Sequence, residues 1–316
     1  MKVAVLMGGA APERETSLQS GKRVCQALTE SGHEVVPLDT TRNLVSILRA
    51  ERPDIVFSAL RGFDGESGAV QGLLEFLDIP CVGAPSHVCR DAWDKGALPG
   101  VLEGYRGALG GTMTASWPRG VCLARSAFED MGAASALDLV EDRIPGGYPV
   151  CVKPAHGTSA RGVHKANSQE ELVGGIMDAL AYDDAVVIQQ WIDGVELAVF
   201  VLGEGLDAFV LPPVEIVHGE QPAQFAPPRP ASFSQDAGEA EAIRTEVERA
   251  AMEAYLAYGM RDLGCVNLVW DGAQARVLEV DMAPELTEGS LFDAACNASS
   301  LTFKGVVNAL VGGLEA

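Results

Sequence analysis

The chain has 316 residues, 47% hydrophobic and 21% charged, with 23 Lys plus Arg against 44 Asp plus Glu and a formal charge of −21. At about 100–200 residues per domain this predicts two domains or three small ones with a packed core, and it excludes wholesale disorder. So acidic a surface repels phosphate backbones and anionic lipid. It excludes nucleic acid and a polybasic membrane anchor as main partners but leaves room for a local basic pocket that holds a small phosphate ligand. In chain order, Val3 to Met7 reads as an apolar strand, followed by the turn Gly8-Gly9 and a helical pattern through Leu18, Val24 and Leu28. Glu34 to Leu38 and Asp54 to Leu60 are further strands, the latter followed by a helix through Val70, Leu73, Leu74 and Leu77. This alternation predicts a parallel sheet covered on both faces, with ligands at the carboxyl ends of its strands, where Gly8-Gly9 and Arg61-Gly62-Phe63-Asp64-Gly65 lie.

A second region begins near Ala92. Its helical start gives way to glycine-rich sequence, and Gly104 to Arg119 reads as a loop. Strand Tyr148 to Lys153 leads through Pro154–Gly162 into strand Val163 to Lys165. A helix from N-cap Ser168, with Glu171 three residues on, reaches about Leu180, and strand Ala185 to Gln190 follows. The last region holds strands Leu197 to Leu202, Ala208 to Leu211 and Val214 to Val217, then a Pro-rich loop from Gln221 to Ser234. Ile243, Val247, Ala250, Ala254 and Tyr258 share one helix face. Strands Val266 to Trp270 and Ala275 to Met282 flank the hairpin turn Asp271-Gly272, and a final helix covers Leu301 to Leu314. The predicted fold class is α/β: a parallel α/β domain (1–91) followed by two α+β lobes (92–191 and 192–316).

No apolar run reaches about 18 residues, so no membrane span is expected. Met1 to Met7 is too short for a signal peptide. The seven cysteines are scattered and form no C-x-x-C pair, which predicts reduced, buried thiols in a cytoplasmic enzyme. The five histidines have no metal-ligand spacing.

Two patterns carry chemistry on their own residues. Lys153 ends a strand before Ala155, Gly157, Thr158, Ser159, Ala160 and Gly162, small residues whose N–H groups can approach phosphate oxygens. The loop is neither a Walker loop nor a dinucleotide fingerprint, and an ordinary hairpin connection has the same appearance. Glu279 and Asp281 point to one strand face, which Asn267 on the paired strand can share. Two carboxylates and an amide are hard oxygen ligands for Mg²⁺, and a solvated strand face is the alternative.

Together these pieces resemble the D-alanine–D-alanine ligase family of ATP-grasp enzymes over nearly the whole chain. The likeness is carried by Met7-Gly8-Gly9 through Glu13 to Leu18, by Arg61 through Gly72 with Asp94-Lys95, and by Val152-Lys153-Pro154 to Val163. It continues through Gln189-Gln190-Trp191-Ile192-Asp193-Gly194-Val195-Glu196 and Leu278-Glu279-Val280-Asp281 to Leu291. The resemblance implies ATP and two Mg²⁺ ions, amino-acid-type substrates and a homodimer. It implies that Lys95 and Lys153 bind phosphates, that Ser159 lies in the phosphate-covering loop, that Trp191 and Ile192 contact adenine and that Glu196 holds the ribose. Glu279 would bridge the metals, Glu13 would meet the first substrate's amino group, and Ser290 and Leu291 would face the second substrate. The implied reaction phosphorylates a carboxylate, and an amine then attacks the acyl phosphate.

Departures accompany the matches. The outer metal positions, Asp then Asn in the family, are Asn267 and Asp281 here, a swap that preserves the charge of the set. Cys265 stands where the family has an oxyanion-stabilising Arg, and Arg61 and Arg229 are the candidate replacements. Glu285 replaces a glycine and predicts an amine partner without a carboxylate there or with extra positive charge. Gln189 replaces a hinge acid. The Pro-rich Gln221 to Gly238 segment has neither the Tyr nor the Lys of the family's ω-loop. The expected activity is therefore a carboxylate–amine ligase of a specialised pathway. The alternatives are a genuine D-alanine–D-alanine ligase and a non-catalytic nucleotide-binding protein.

Overall fold

The computed structural model describes residues 1–40, 43–144, 146–158, 160–217 and 228–312. The N-terminal lobe contains β1 (Lys2–Met7), α1 (Arg14–Glu30), β2 (Glu34–Asp39), α2 (Leu44–Glu51), β3 (Ile55–Ser58), α3 (Phe63–Glu66), α4 (Ala69–Phe76) and β4 (Cys81–Val82). Its four strands are parallel in the order β2-β1-β3-β4, as the strand–helix alternation predicts. Val3, Val5, Val24 and Leu28 pack on one face and Ala4, Leu6, Leu48 and Leu74 on the other. The glycine turn after β1 and Arg61 after β3 therefore emerge at the same sheet edge.

Helices α5 (Ser86–Trp93) and α6 (Leu98–Ala108) come next. The expected loop from Gly104 to Arg119 is in part helix. Leu98 and Leu102, one turn apart, are buried, while a Cβ at Gly100, Gly104 or Gly107 would meet nothing within 4 Å. The glycines lie on the open side, and burial of the leucines outweighs their poor propensity. Val88, Cys89, Leu102 and Ala115 share a core with Val199, Val247, Tyr255 and Val277. The boundary expected at Ala92 thus cuts a segment that packs with the C-terminal lobe.

The central lobe contains β5 (Gly120–Ala124), α7 (Arg125–Arg143), β6 (Val150–Pro154), β7 (His164–Ala166), α8 (Gln169–Ala179) and β8 (Ala185–Gln190). Its antiparallel order is β5-β8-β6-β7. Ser168 caps α8 by accepting from Glu171 N, as its sequence position predicts.

The C-terminal lobe contains β9 (Val195–Leu202), β10 (Phe209–Val210), β11 (Val214–Glu215), β12 (Arg229–Pro230), α9 (Ala237–Tyr258), β13 (Leu263–Trp270), β14 (Ala275–Asp281), α10 (Leu291–Ala298) and α11 (Phe303–Gly312). The sheet runs β12-β11-β9-β13-β14, with β10 beside β9. Asp236 caps α9, and Gly259 ends it in the left-handed conformation at φ 68°. Phe200 and Phe292 meet edge to face at 5.2 Å within a core that also takes Val24 and Phe57 from the N-terminal lobe. The first and last lobes are joined by shared apolar surface, so residues far apart in sequence are held in fixed relation. All seven cysteines are free. Four are buried, Cys25 and Cys81 are half-buried and Cys122 is exposed, which corrects the expectation that all are buried. Among the described residues no helix is long and apolar enough to cross a membrane.

Candidate active site

Register brings the carboxylates together. On β13 and β14 Asn267 lies opposite Glu279 and Cys265 opposite Asp281, with a bulge between Asn267 and Leu268. Asn267 Nδ2 donates to Glu279 Oε1 at 3.1 Å. Two lysines approach, Lys95 from the connection between α5 and α6 and Lys153 from the central lobe. Lys95 Nζ is 4.0 Å from Glu279 Oε2 and donates to the carbonyl of Gly157. Lys153, buried on β6, donates to the carbonyl of Leu278 at 3.2 Å. The Lys95 amide is anchored to Ala155 O at 2.9 Å, so both lysines ride with the glycine-rich loop. Burial pushes the Glu279 carboxyl upward, but Lys95 and Lys153 outweigh it and hold it below the ordinary carboxylate range. Of the five residues expected together, the structure brings Lys95, Lys153, Glu279 and Asn267 close to one another.

Asp281 is engaged differently from expectation. Its Oδ2 meets Arg61 Nη1 at 3.0 Å, and its Oδ1 accepts from Ala283 N at 2.8 Å. Arg61 also donates to the carbonyl of Ala283 and, through Nη2, to Thr158 Oγ1 at 3.3 Å. Its Nε lies 3.9 Å from Glu66 Oε1, and among the described residues this buried nitrogen has no hydrogen-bond partner. Burial opposes the guanidinium charge, but Asp281 and Glu66 overcome it. Burial, and then Asp281, push the Glu66 carboxyl upward. Glu66 Oε1 accepts from Gly62 N at 2.8 Å. Burial holds the Cys265 thiol well above its ordinary value, and it donates weakly to Asn267 Oδ1 at 3.5 Å. A thiol in that state is neither a metal ligand nor a nucleophile.

The other expected residues divide. Glu13 lies at the start of α1 beside Gly62 and lines a cavity of about 900 Å³ with Phe63, Trp93 and Arg161. Ser290 caps α10 by accepting from Asp293 N at 3.2 Å, and Leu291 begins that helix. Gln189 is buried on β8, Ile192 lies on the connection into β9, and Glu196 is on β9 itself. The Trp191 N–H donates to Pro149 O at 3.2 Å. Arg229 is not brought to the cluster. It is exposed on β12 and forked onto Glu215 at 2.9 and 2.6 Å. Glu285 is exposed and accepts from the Thr287 hydroxyl. Ser159 lies outside the described residues, as does part of the Gln221–Gly238 segment.

The sequence gives no role to Glu66 or Arg23, and to Thr158 only that of its N–H, not its hydroxyl contact with Arg61. Arg23 donates to the carbonyls of Leu286 at 3.1 Å and Thr287 at 2.8 Å, pairs with Asp293 and stacks over Phe303 at 3.8 Å. It ties α1 to the turn before Ser290. No local pattern marks it, because a single Arg on a helix reads as solvated.

Known proteins resemble this chain in sequence and in fold. The family model described as "D-ala D-ala ligase C-terminus" matches residues 127–312. The D-alanine--D-alanine ligase of Desulforudis audaxviator (strain MP104C) is 35% identical over 314 residues, covering 98% of this chain and 97% of the relative. That of Pseudomonas entomophila (strain L48) is 35% identical over 317 residues, covering 98% and 92%. The ATP complex of D-alanine--D-alanine ligase from Bacillus anthracis superimposes with a TM-score of 0.79 at 23% identity, covering 99% of this chain and 96% of that one. The VanG D-Ala:D-Ser ligase from Enterococcus faecalis does so with 0.79 at 22%, covering 99% and 98%. The two superpositions bear on the fold. The names of the two sequence relatives lend no support to the specialised amine partner read from Glu285.

Proposed function

Because this chain belongs to the D-alanine–D-alanine ligase family, whose ATP-grasp members form C–N bonds, we propose that it joins D-alanine to D-alanine with ATP. The observation that carries this reading is the convergence of Lys95, Lys153, Glu279 and Asn267 between the central and C-terminal lobes. Lys95 and Lys153 would neutralise the triphosphate while phosphoryl passes to the first substrate's carboxylate. Glu13 would hold that substrate's ammonium group from the N-terminal lobe. The amine of the second substrate, placed near the N-terminus of α10 by Ser290, would then attack the acyl phosphate carbonyl and release phosphate.

The donor set fits a divalent cation at one place. Glu279 is held ionised, and the Asn267 amide, turned so that Oδ1 replaces Nδ2, adds a second hard oxygen. A bound Mg²⁺ supplies charge neutralisation to the nucleotide phosphates. Assembly as a homodimer belongs to the same proposal, and light scattering reads it.

The test is phosphate release from ATP across a panel of amino acids and amines, with the product identified by mass. D-Alanine alone is expected to stimulate best and to yield the dipeptide. Stimulation by other amines but not by D-alanine would return the reading to a specialised ligase, which Cys265 in place of an arginine favours. Nucleotide binding without stimulation by any of them would leave a non-catalytic nucleotide-binding protein.

A further inference from the structure

Arg61 enters the cluster from the N-terminal lobe and stops against Asp281, whose two oxygens it shares with the Ala283 amide. The guanidinium side chain is about 10% exposed, with Glu66 on its far side and Thr158 of the glycine-rich loop beside it. Arginine does not lose its proton in proteins, so the positive charge at Asp281 is permanent. Cys265 lies directly across the strand pair from Asp281, and Glu285 adds a more distant negative charge.

The two sides of Glu279 therefore differ. Toward Asn267 the direct partner is an amide, with Lys95 Nζ 4.0 Å from the other Glu279 oxygen. Toward Asp281 there is a fixed guanidinium. Each carboxylate oxygen keeps a second lone pair, so the obstacle to a metal on Asp281 is electrostatic rather than steric. A divalent ion there would face Arg61 across a single carboxylate in a buried setting where charges are poorly screened. Among the described residues no group of three or more His, Cys, Asp or Glu converges to hold a metal.

We propose that the Arg61 guanidinium takes the place of a second divalent cation, and that this chain binds its nucleotide with one such ion, on Glu279 and Asn267. Arg61 is then a positioning residue that keeps Asp281 and Thr158 in place and supplies a charge that does not exchange with solvent. The inference rests on the ligase reading for its nucleotide. It departs from the pair of metals that the sequence resemblance implies.

The test counts Mn²⁺ by electron paramagnetic resonance, with the full chain in excess over the non-hydrolysable analogue AMP-PNP so that all the analogue is bound. Wild type is expected to take one Mn²⁺ per bound nucleotide with an uncoupled six-line signal. Arg61→Gln, which leaves Asp281 and Glu66 without their cation, is expected to take two, with an exchange-coupled signal. Asp281→Asn is expected to keep one. Two coupled Mn²⁺ in wild type overturn the inference and leave the ligase reading standing; that measurement needs no variant to fold. Loss of the single ion in Asp281→Asn, or no second ion in a folded Arg61→Gln, overturns it as well. A wild-type chain that binds no AMP-PNP at any Mn²⁺ concentration overturns the ligase reading and this inference together.

Discussion

Asn267 and Glu279 face each other across β13 and β14, with the amide nitrogen 3.1 Å from the carboxylate. Lys95 Nζ lies 4.0 Å from the other carboxylate oxygen, while the Asn267 side offers only a neutral amide, which makes the pair sensitive to added negative charge. Asn267→Asp replaces a hydrogen bond with two opposed carboxylates. We expect a loss of about 1 kcal/mol or more without divalent ions, largely restored by Mg²⁺, which binds such a pair well. Thermal unfolding with and without Mg²⁺ reads both halves.

The swap of both outer positions, Asn267→Asp with Asp281→Asn, conserves the charge of the ligand set. Read from sequence, activity should largely persist. Asp281, however, is the direct partner of buried Arg61. Removing one member of a buried pair costs about 3–5 kcal/mol. The double variant is expected to keep activity at low temperature and to unfold well below wild type by calorimetry. An inactive, stably folded double variant would contradict the charge-preserving account.

Gly62 has φ 64° and ψ −152°, and a Cβ there would lie 2.6 Å from Glu13 Oε2. That backbone region is nearly closed to other residues, so Gly62→Ala should cost about 1–3 kcal/mol. Displacement of Glu13 should also raise KM for the first amino acid more than KM for ATP. Steady-state kinetics on each substrate checks this.

The Glu66 carboxyl stands above its ordinary value of 4.5 because it is buried and faces Asp281. The folded chain therefore holds a proton that the unfolded chain releases. The associated stability is complete below about pH 4.5 and is lost as pH rises through the folded value near 8. Glu66→Gln keeps an acceptor for Gly62 N and removes the titration. Its urea midpoint should fall less than that of wild type between those two pH values.

Arg23→Ala removes the tie between α1 and the Leu286–Thr287 turn. The pair with Asp293 is only partly buried, so a loss of about 1–3 kcal/mol is expected, with a raised KM for the second substrate. Arg23→Lys should not restore it, because one ammonium cannot reach both carbonyls and Asp293 as the guanidinium fork does. Tm and kcat/KM of the two variants decide this.

Local order was legible in the sequence. The apolar strand before Gly8, the Ser168 cap, the 3.6-residue stripe of α9 and the Asp271-Gly272 turn each follow from backbone and burial rules that act over a few residues. That Asn267 can share the face of Glu279 was legible too, but their direct pairing was not: regular hairpin register would set Leu278 opposite Asn267, and the bulge between Asn267 and Leu268 brings Glu279 there instead. Helix α6 was misread because propensity was weighed without knowing that its glycines face open space.

What the chain folds against itself was not legible. Arg61 and Asp281 are 220 positions apart, and Arg23 and Asp293 are 270 apart. A lone Arg in a loop or on a helix has the same sequence appearance whether it meets water or a carboxylate. The partner is chosen by how the N-terminal lobe seats on the C-terminal one, through Val24, Phe57, Phe200 and Phe292. Non-directional apolar burial sets that seating. The charges then take the neighbours the seating supplies, and so only the tertiary structure decided that the cation at Asp281 is a guanidinium.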